Sequence, residues 1–275
     1  MANTGFLVYY GESLMNGDNI AAVLVCSTKN AKMKKKGKKS RKKVLIPQLY
    51  IFSTFAPPVE VIKAKKDDSI CGTCPFQHDN GCYVFVGQAP TKIHNKWYRG
   101  GYIGGRENWQ QGLDAACDWI HEKHKKGYII RVRFGAYGDI ASIPYIVFWM
   151  LTSTSDTQLN YTREWNTCLG KKYKQFSMAS VHTLGELARA SSMGWKTFRI
   201  MLPGDRPLPS EILCPADKVT YGKNPKSDCA TCGMCNGNES PALRTKIGVC
   251  TYVHGTYYKV RRATKVIKER IANGH

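Results

Sequence analysis

Eight of the eleven cysteines fall in two groups whose spacing suits metal chemistry. The C-terminal group is Cys229, Cys232 and Cys235, a Cys-x2-Cys-x2-Cys run in the segment SDCATCGMCNGN. Glycine and asparagine there permit the tight turns that aim three sulfurs at one point. Three thiolates at this spacing bind a soft or borderline metal. A fourth ligand is required, and Cys214, His254 and Cys250 are the candidates. Zinc held by three cysteines and one histidine or cysteine is the leading expectation. An iron–sulfur cluster is the rival, because Cys214 precedes Pro215 as the remote cysteine of ferredoxin-type sites often does. The first group is Cys71-Gly-Thr-Cys74-Pro, followed by Gly81-Cys82-Tyr83. Its gaps fit neither a common zinc finger nor the usual radical-SAM triplet. His78 lies between and could complete a site, so a second metal centre and a nest of buried thiols both stand. Cys26, Cys117 and Cys168 are solitary and read as small buried apolar residues.

Stepping outward from the cysteines, residues 109–213 alternate strand and helix patterns. Trp109 to Lys126 carries Leu113, Ala116, Cys117 and Ile120 at helical spacing and closes at Gly127. Tyr128–Phe134, Gln158–Thr162, Phe176–Val181 and Thr197–Leu202 read as strands. Thr183–Met193 reads as a helix, and so does IPYIVFWML, with Ser142 as its cap and Pro144 in its first turn. Earlier, Phe6–Tyr10, Ala21–Cys26 and a long Val44–Phe55 read as strands. Alternating elements imply parallel pairing with right-handed crossovers, hence an α/β fold, with a complete or partial TIM-type barrel expected. Four stretches follow: an irregular N-terminal part (1–108) with a lysine-rich insertion (32–43), a β/α core (109–213), a Cys/His metal-binding segment (214–255) and a basic C-terminal helix (256–275).

In parallel α/β folds chemistry sits at the carboxyl ends of strands. Those ends carry Gly138–Asp139, Tyr161 to Trp165, His182 and Gly204–Asp205. Gly-Asp is also an ordinary turn pair. The charge balance adds a partner. Forty-one Lys and Arg against 20 Asp and Glu give +21, and Lys32 to Lys43 supplies nine of these charges, leaving +12 elsewhere. Lys34, Lys35, Lys36, Lys38, Lys39, Arg41, Lys42 and Lys43 are therefore expected to hold nucleic-acid phosphates. The longest apolar stretch, Ile143 to Thr152, is half of the ~20 residues a spanning helix needs, so no membrane is expected. The N-terminal MANTGFLVYYGES has no export-signal pattern, and the odd cysteine count then implies reduced thiols in a cytoplasmic protein.

Taken together, CGTCPF…GCY (71–83), RFGAYGD (133–139), NYTREW (160–165), CPA (214–216), CATCGMC (229–235) and TYVHG (251–255) resemble a group of phage-encoded proteins. Those share a CPxxCPL…GCY segment, a Gly-Asp strand end, a CxxCxxC and a closing His-Gly. The likeness covers residues 44 to 255. More distantly, three clustered cysteines and a later histidine ending an α/β barrel are similar to the zinc site of tRNA-guanine transglycosylases. Phage and bacterial relatives of that family exchange guanine in DNA for a 7-deazaguanine base and so evade restriction. That resemblance implies a base-exchange enzyme, with the host cytoplasm as its location. Asp139 and Asp205 would be the paired carboxylates, one attacking the anomeric carbon and the other moving the base's proton. Tyr137, Tyr161, Trp165 and His182 would contact an extruded modified purine. Two alternatives remain. One is a radical-SAM-like iron–sulfur enzyme with a cluster on Cys71, Cys74 and Cys82 and an auxiliary one on the distal cysteines. The other is a zinc-stabilised DNA-binding protein without enzymatic activity.

Overall fold

The computed structural model describes residues 5–26 and 43–274. Strands β1 (Gly5–Glu12) and β2 (Asn19–Val25) form an antiparallel hairpin, and β2 pairs antiparallel with β4 (Gln48–Ser53). The short β3 (Lys43–Leu45) and β4 run along the same side of β5 (Tyr128–Tyr137) in one register, Lys43 opposite Tyr128 and Gln48 opposite Arg133. The single strand expected over 44–55 is thus one line interrupted at Pro47. Proline has no N–H to give a ladder, but the Pro47 carbonyl still accepts from the Arg133 N–H at 2.9 Å.

Helices α1 (Pro58–Lys63), α2 (Asp68–Cys71) and α3 (Ala89–Tyr98) lead to α4 (Trp109–Lys125), which enters β5. After β5 come α5 (Tyr145–Thr154), β6 (Thr157–Leu159), β7 (Tyr161–Thr162), α6 (Cys168–Lys171), β8 (Met178–Val181), α7 (Leu184–Ser192) and β9 (Thr197–Met201). The chain ends with β10 (Glu211–Leu213), α8 (Lys218–Tyr221), α9 (Cys229–Cys232), β11 (Gly248–Tyr252) and α10 (Tyr257–Ala272). The fold is α/β with parallel sheets. One sheet runs β1-β2-β4-β5, with β3 and β6 also on β5. The other runs β10-β11-β9-β8-β7, and every pairing in it is parallel. Among the described residues no ladder joins β10 to β1, and their ladders form no closed barrel.

Asn160 separates β6 from β7 and marks where one sheet passes to the next. Its N–H donates to the Cys235 carbonyl at 3.0 Å, while its own carbonyl accepts from Met178. A cysteine loop therefore occupies the ladder position that would have made Gln158–Thr162 one strand. The N-terminal hundred residues, expected to be irregular, supply the hairpin and β4, the first strand of the parallel series. Their core face meets Leu113, Ala116 and Ile120 of α4 and Val147, Phe148 and Leu151 of α5. Ser142 does not cap α5. Its hydroxyl donates to the Asp139 carbonyl, and Pro144 stands at the cap position instead. No helix among the described residues is long and apolar enough to cross a membrane.

Candidate functional site

A cavity of about 120 Å³ opens between the two sheets. Alternate residues of neighbouring strands wall it, because side chains two apart share a face: Phe198 and Ile200 from β9, Val249 and Thr251 from β11. Cys214, Cys229, Cys232, Cys235 and His254 line it as well. Cys250, between Val249 and Thr251, faces the other way and donates its thiol to the Ile212 carbonyl. Of the three candidates for a fourth ligand, the strand period thus turns Cys250 away and leaves Cys214 and His254 on the cavity.

Local structure explains how this group is presented. Asp228 caps the one-turn α9 by accepting from the Thr231 N–H at 2.8 Å, and Gly233 ends it in the left-handed conformation. Cys214 follows β10, and its N–H donates to the Cys250 carbonyl. The fully buried Asp217 ties the following turn to β11 by accepting from the Thr251 hydroxyl and the Tyr252 N–H. Burial raises the Cys235 thiol well above its ordinary pKa, and the nearby Cys214, Cys229 and Cys232 raise it further. The Tyr161 hydroxyl donates to Cys235. His254 Nδ1 meets the Tyr252 carbonyl at 2.9 Å, which orients the ring.

The first group is built by distant parts of the chain. Cys71 ends α2, and Cys74 and Cys82 lie on the loop beyond. Burial raises the Cys71 thiol, with Cys74, Asp67 and Cys82 adding to it; burial and Cys82 push Cys74 up to about 12. Glu164, nearly fully buried, accepts from both the Thr73 N–H (2.7 Å) and the Thr73 hydroxyl (2.8 Å). Gly72, at φ +50°, leaves room for that carboxylate: a Cβ there would sit 2.4 Å from Glu164 Oε1. Buried Asp67 takes the His78 ring and its backbone N–H. His78 Nδ1 is therefore committed to an aspartate. From the other side α10 clamps the loop, Lys259 donating to the Cys82 and Val84 carbonyls and Arg262 to Asp79. A Cβ on Gly81 would stand 2.4 Å from the Ala263 backbone. Ala263 and Ile267 of α10 are buried, so the basic C-terminal segment docks as a final helix.

Arg133 interacts with one neighbour of each cysteine group. This guanidinium donates to buried Gln48 at 3.0 Å and is hydrogen-bonded to the hydroxyl of Tyr83, the residue after Cys82. It also acts electrostatically on Tyr161, the partner of Cys235. Tyr83, Arg133 and Tyr161 all line the cavity. Neither Arg133 nor Tyr83 was prominent in the sequence; each stood only inside a motif, Tyr83 in GCY and Arg133 at the head of RFGAYGD. Glu164 stood among the strand-end residues without a role.

The remaining expected residues are dispersed. Asp139 is enclosed and accepts from the Ala141 N–H, the Thr162 hydroxyl and the Arg163 N–H. Burial raises its pKa to about 6 against the pull of those three donors. Asp205 lies at an exposed turn beyond β9, where its carboxylate accepts from the Leu202 N–H and its side chain is 44% exposed. Neither aspartate lines the cavity. Trp165 is buried in a small core with Val181 and Leu187 and donates to the Ser180 carbonyl. His182 packs against Phe76 at 4.4 Å, and burial and Arg163 hold its pKa well below the usual value. The Tyr137 hydroxyl is buried near Cys71 and Cys82 and has no hydrogen-bond partner among the described residues. Lys34 through Lys42 lie outside the described residues; Lys43 stands over the Tyr128 ring at 5.4 Å.

Among the described residues no group of three or more His, Cys, Asp or Glu side chains is disposed to hold a single metal ion. Compared with known proteins, the chain matches no family model, no curated protein and no solved structure.

Proposed function

We propose that the protein is a radical-SAM-like iron–sulfur enzyme. Cys71, Cys74 and Cys82 hold one cluster, and Cys214, Cys229, Cys232 and Cys235 hold an auxiliary one. The observation that carries this reading is two buried groups of thiols, Cys71, Cys74 and Cys82 in one and Cys214, Cys229, Cys232 and Cys235 on the cavity in the other, with Tyr83, next to Cys82, lining the same cavity. Mutually repelling buried thiols are costly as thiolates unless a positive core draws them together. A cluster also spreads its ligands wider than one zinc ion with bonds of about 2.3 Å does. The unpartnered Tyr137 hydroxyl beside Cys71 and Cys82 supplies a donor suited to cluster sulfur. When bound, a three-thiolate cluster with S-adenosylmethionine supplies radical chemistry. The protein's own contribution is to fix the loop through Glu164, Asp67 and α10 and to shield the lumen with apolar strand residues. The open α/β sheet gives this reading a partial-barrel frame, and the +21 charge supports a polyanionic partner such as DNA.

Base exchange would need two carboxylates at one reacting carbon. Asp205 at its exposed turn and Asp139 in its closed hydrogen-bond shell give that reading less support. The deciding experiment is metal analysis and visible spectroscopy of protein purified anaerobically. Several irons per chain with broad visible absorption are expected; one colourless zinc and no iron would overturn the proposal.

A further inference from the structure

Arg133 is the one permanent cation lining the cavity, and among the described residues no carboxylate lies within ion-pair distance of it. Arg163 and Arg199, whose side chains are nearly buried, are each paired with a carboxylate, Glu186 and Glu211. Arg133 has only neutral companions, the Gln48 amide oxygen and the Tyr83 hydroxyl. Both hold the guanidinium in place, and neither cancels its charge. Leu159, Phe198, Ile200 and Val249 face the same space, as do Asp228 and the four cysteines of the C-terminal group. A guanidinium is never deprotonated and presents a planar fork of donors. With no carboxylate in ion-pair contact, it favours a ligand that brings negative charge within reach of its fork.

We infer that Arg133 is the specificity residue of the lumen and anchors the anionic head, a carboxylate or a phosphate, of a substrate whose remaining body is apolar or aromatic. The head meets the guanidinium held by Gln48 and Tyr83, while the body lies along Phe198 and Ile200, beside the C-terminal cysteines. This names the substrate class for the chamber proposed above and rests on that reading for its catalytic meaning, but the binding itself does not require a reaction.

The test uses anaerobically purified full-length protein with its native metal content. Phenylacetate, phenyl phosphate and neutral benzyl alcohol are titrated by calorimetry into wild type, Arg133→Gln and Arg133→Lys, and iron is measured on the same samples. Wild type is expected to bind at least one of the two anions about tenfold or more tightly than the alcohol, as loss of a charge-assisted bidentate contact implies. The tighter of the two anions identifies the head as carboxylate or phosphate. Arg133→Gln is expected to abolish the preference, and Arg133→Lys, which keeps the charge without the fork, to retain part of it. Equal binding of anion and alcohol by wild type, no binding of any probe, or an unchanged preference in Arg133→Gln would overturn the inference. Loss of iron in Arg133→Gln with the preference intact would also overturn it, making Arg133 a counter-charge for the clusters. Iron-free protein that keeps the Arg133-dependent preference would sink the iron–sulfur proposal while leaving this inference standing.

Discussion

The two cysteine regions reach similar ends by opposite routes. Cys229, Cys232 and Cys235 are brought close by local structure: one helical turn, an aspartate cap and a left-handed glycine, with only Cys214 arriving from elsewhere. Cys71, Cys74 and Cys82 are held by residues from across the chain, with Glu164 ninety-one positions from Thr73 and Lys259 one hundred and seventy-seven from Cys82. A locally coded group has compact spacing and a full complement of four thiols. A tertiary one is free to have three, with carboxylates and a buried tyrosine hydroxyl around them. That difference is what separates an auxiliary site from a reactive one in the reading proposed here.

The sharpest way to break the comparison is to remove one thiol from each group. Cys74→Ser should lose roughly half of the iron and all radical activity, whereas Cys232→Ser should lose the other share and leave the first cluster's spectrum in place. Anaerobic iron analysis with electron paramagnetic resonance reads both. Identical spectra from the two variants would erase the distinction.

The next effect lies behind the first group. Glu186 is fully buried between Arg163 and Arg270, the latter reaching from α10 at 2.5 Å. Burial alone would raise its pKa, but the Arg163 hydrogen bonds and charge, with His182 beyond, bring it down from 4.5 to about 2. A lowered carboxylate pKa stabilises the fold above the unfolded value and loses that contribution as pH falls toward the folded value. Stability should therefore decline between about pH 5 and 2, and Glu186→Gln should flatten that decline. At neutral pH the variant should lose about 3 kcal/mol, since two buried guanidinium groups lose their anion. Denaturant melts at pH 7 and pH 3 check both statements; equal acid sensitivity in variant and wild type would refute the assignment.

Gly81→Ala should cost about 2 kcal/mol, because the residue has φ +108° and a Cβ would strike the Ala263 backbone. Hydrogen exchange should rise in α10 and the Cys82 loop together if the clamp works as described. For the local group, Asp228→Ala should cost about 1 kcal/mol by removing a helix cap, with exchange rising only around α9. Lys265→Ala breaks an exposed pair with Glu269 and should stay within about 0.5 kcal/mol, a control for substitutions on α10 that leave the clamp intact. Thermal melts rank all three.

Much of the frame was legible in the chain because it rests on short-range patterns. The stripe of Leu113, Ala116 and Ile120 defined α4, the pattern over Thr183–Met193 marked α7, and the spacing of Cys229 to Cys235 defined a thiol group. Interruptions were less visible. Pro47 and Asn160 divide what pattern alone joins, the first by lacking a donor and the second by giving its donor to the Cys235 loop. The roles of Asp139 and Asp205 were read from position at strand ends, but burial and exposure are properties of packing.

Short-range patterns were enough for the α/β class, the strand and helix alternation over residues 109–202 and the composition of each cysteine group, because turns, caps and two- or 3.6-residue periods act between near neighbours. Packing between distant segments turned Cys250 from the cavity and Cys214 toward it, fastened the first thiol loop with Glu164 and α10, and set Arg133 on the cavity wall with neutral partners. Those outcomes depend on which faces of distant segments meet, and on whether a buried charge finds its opposite there.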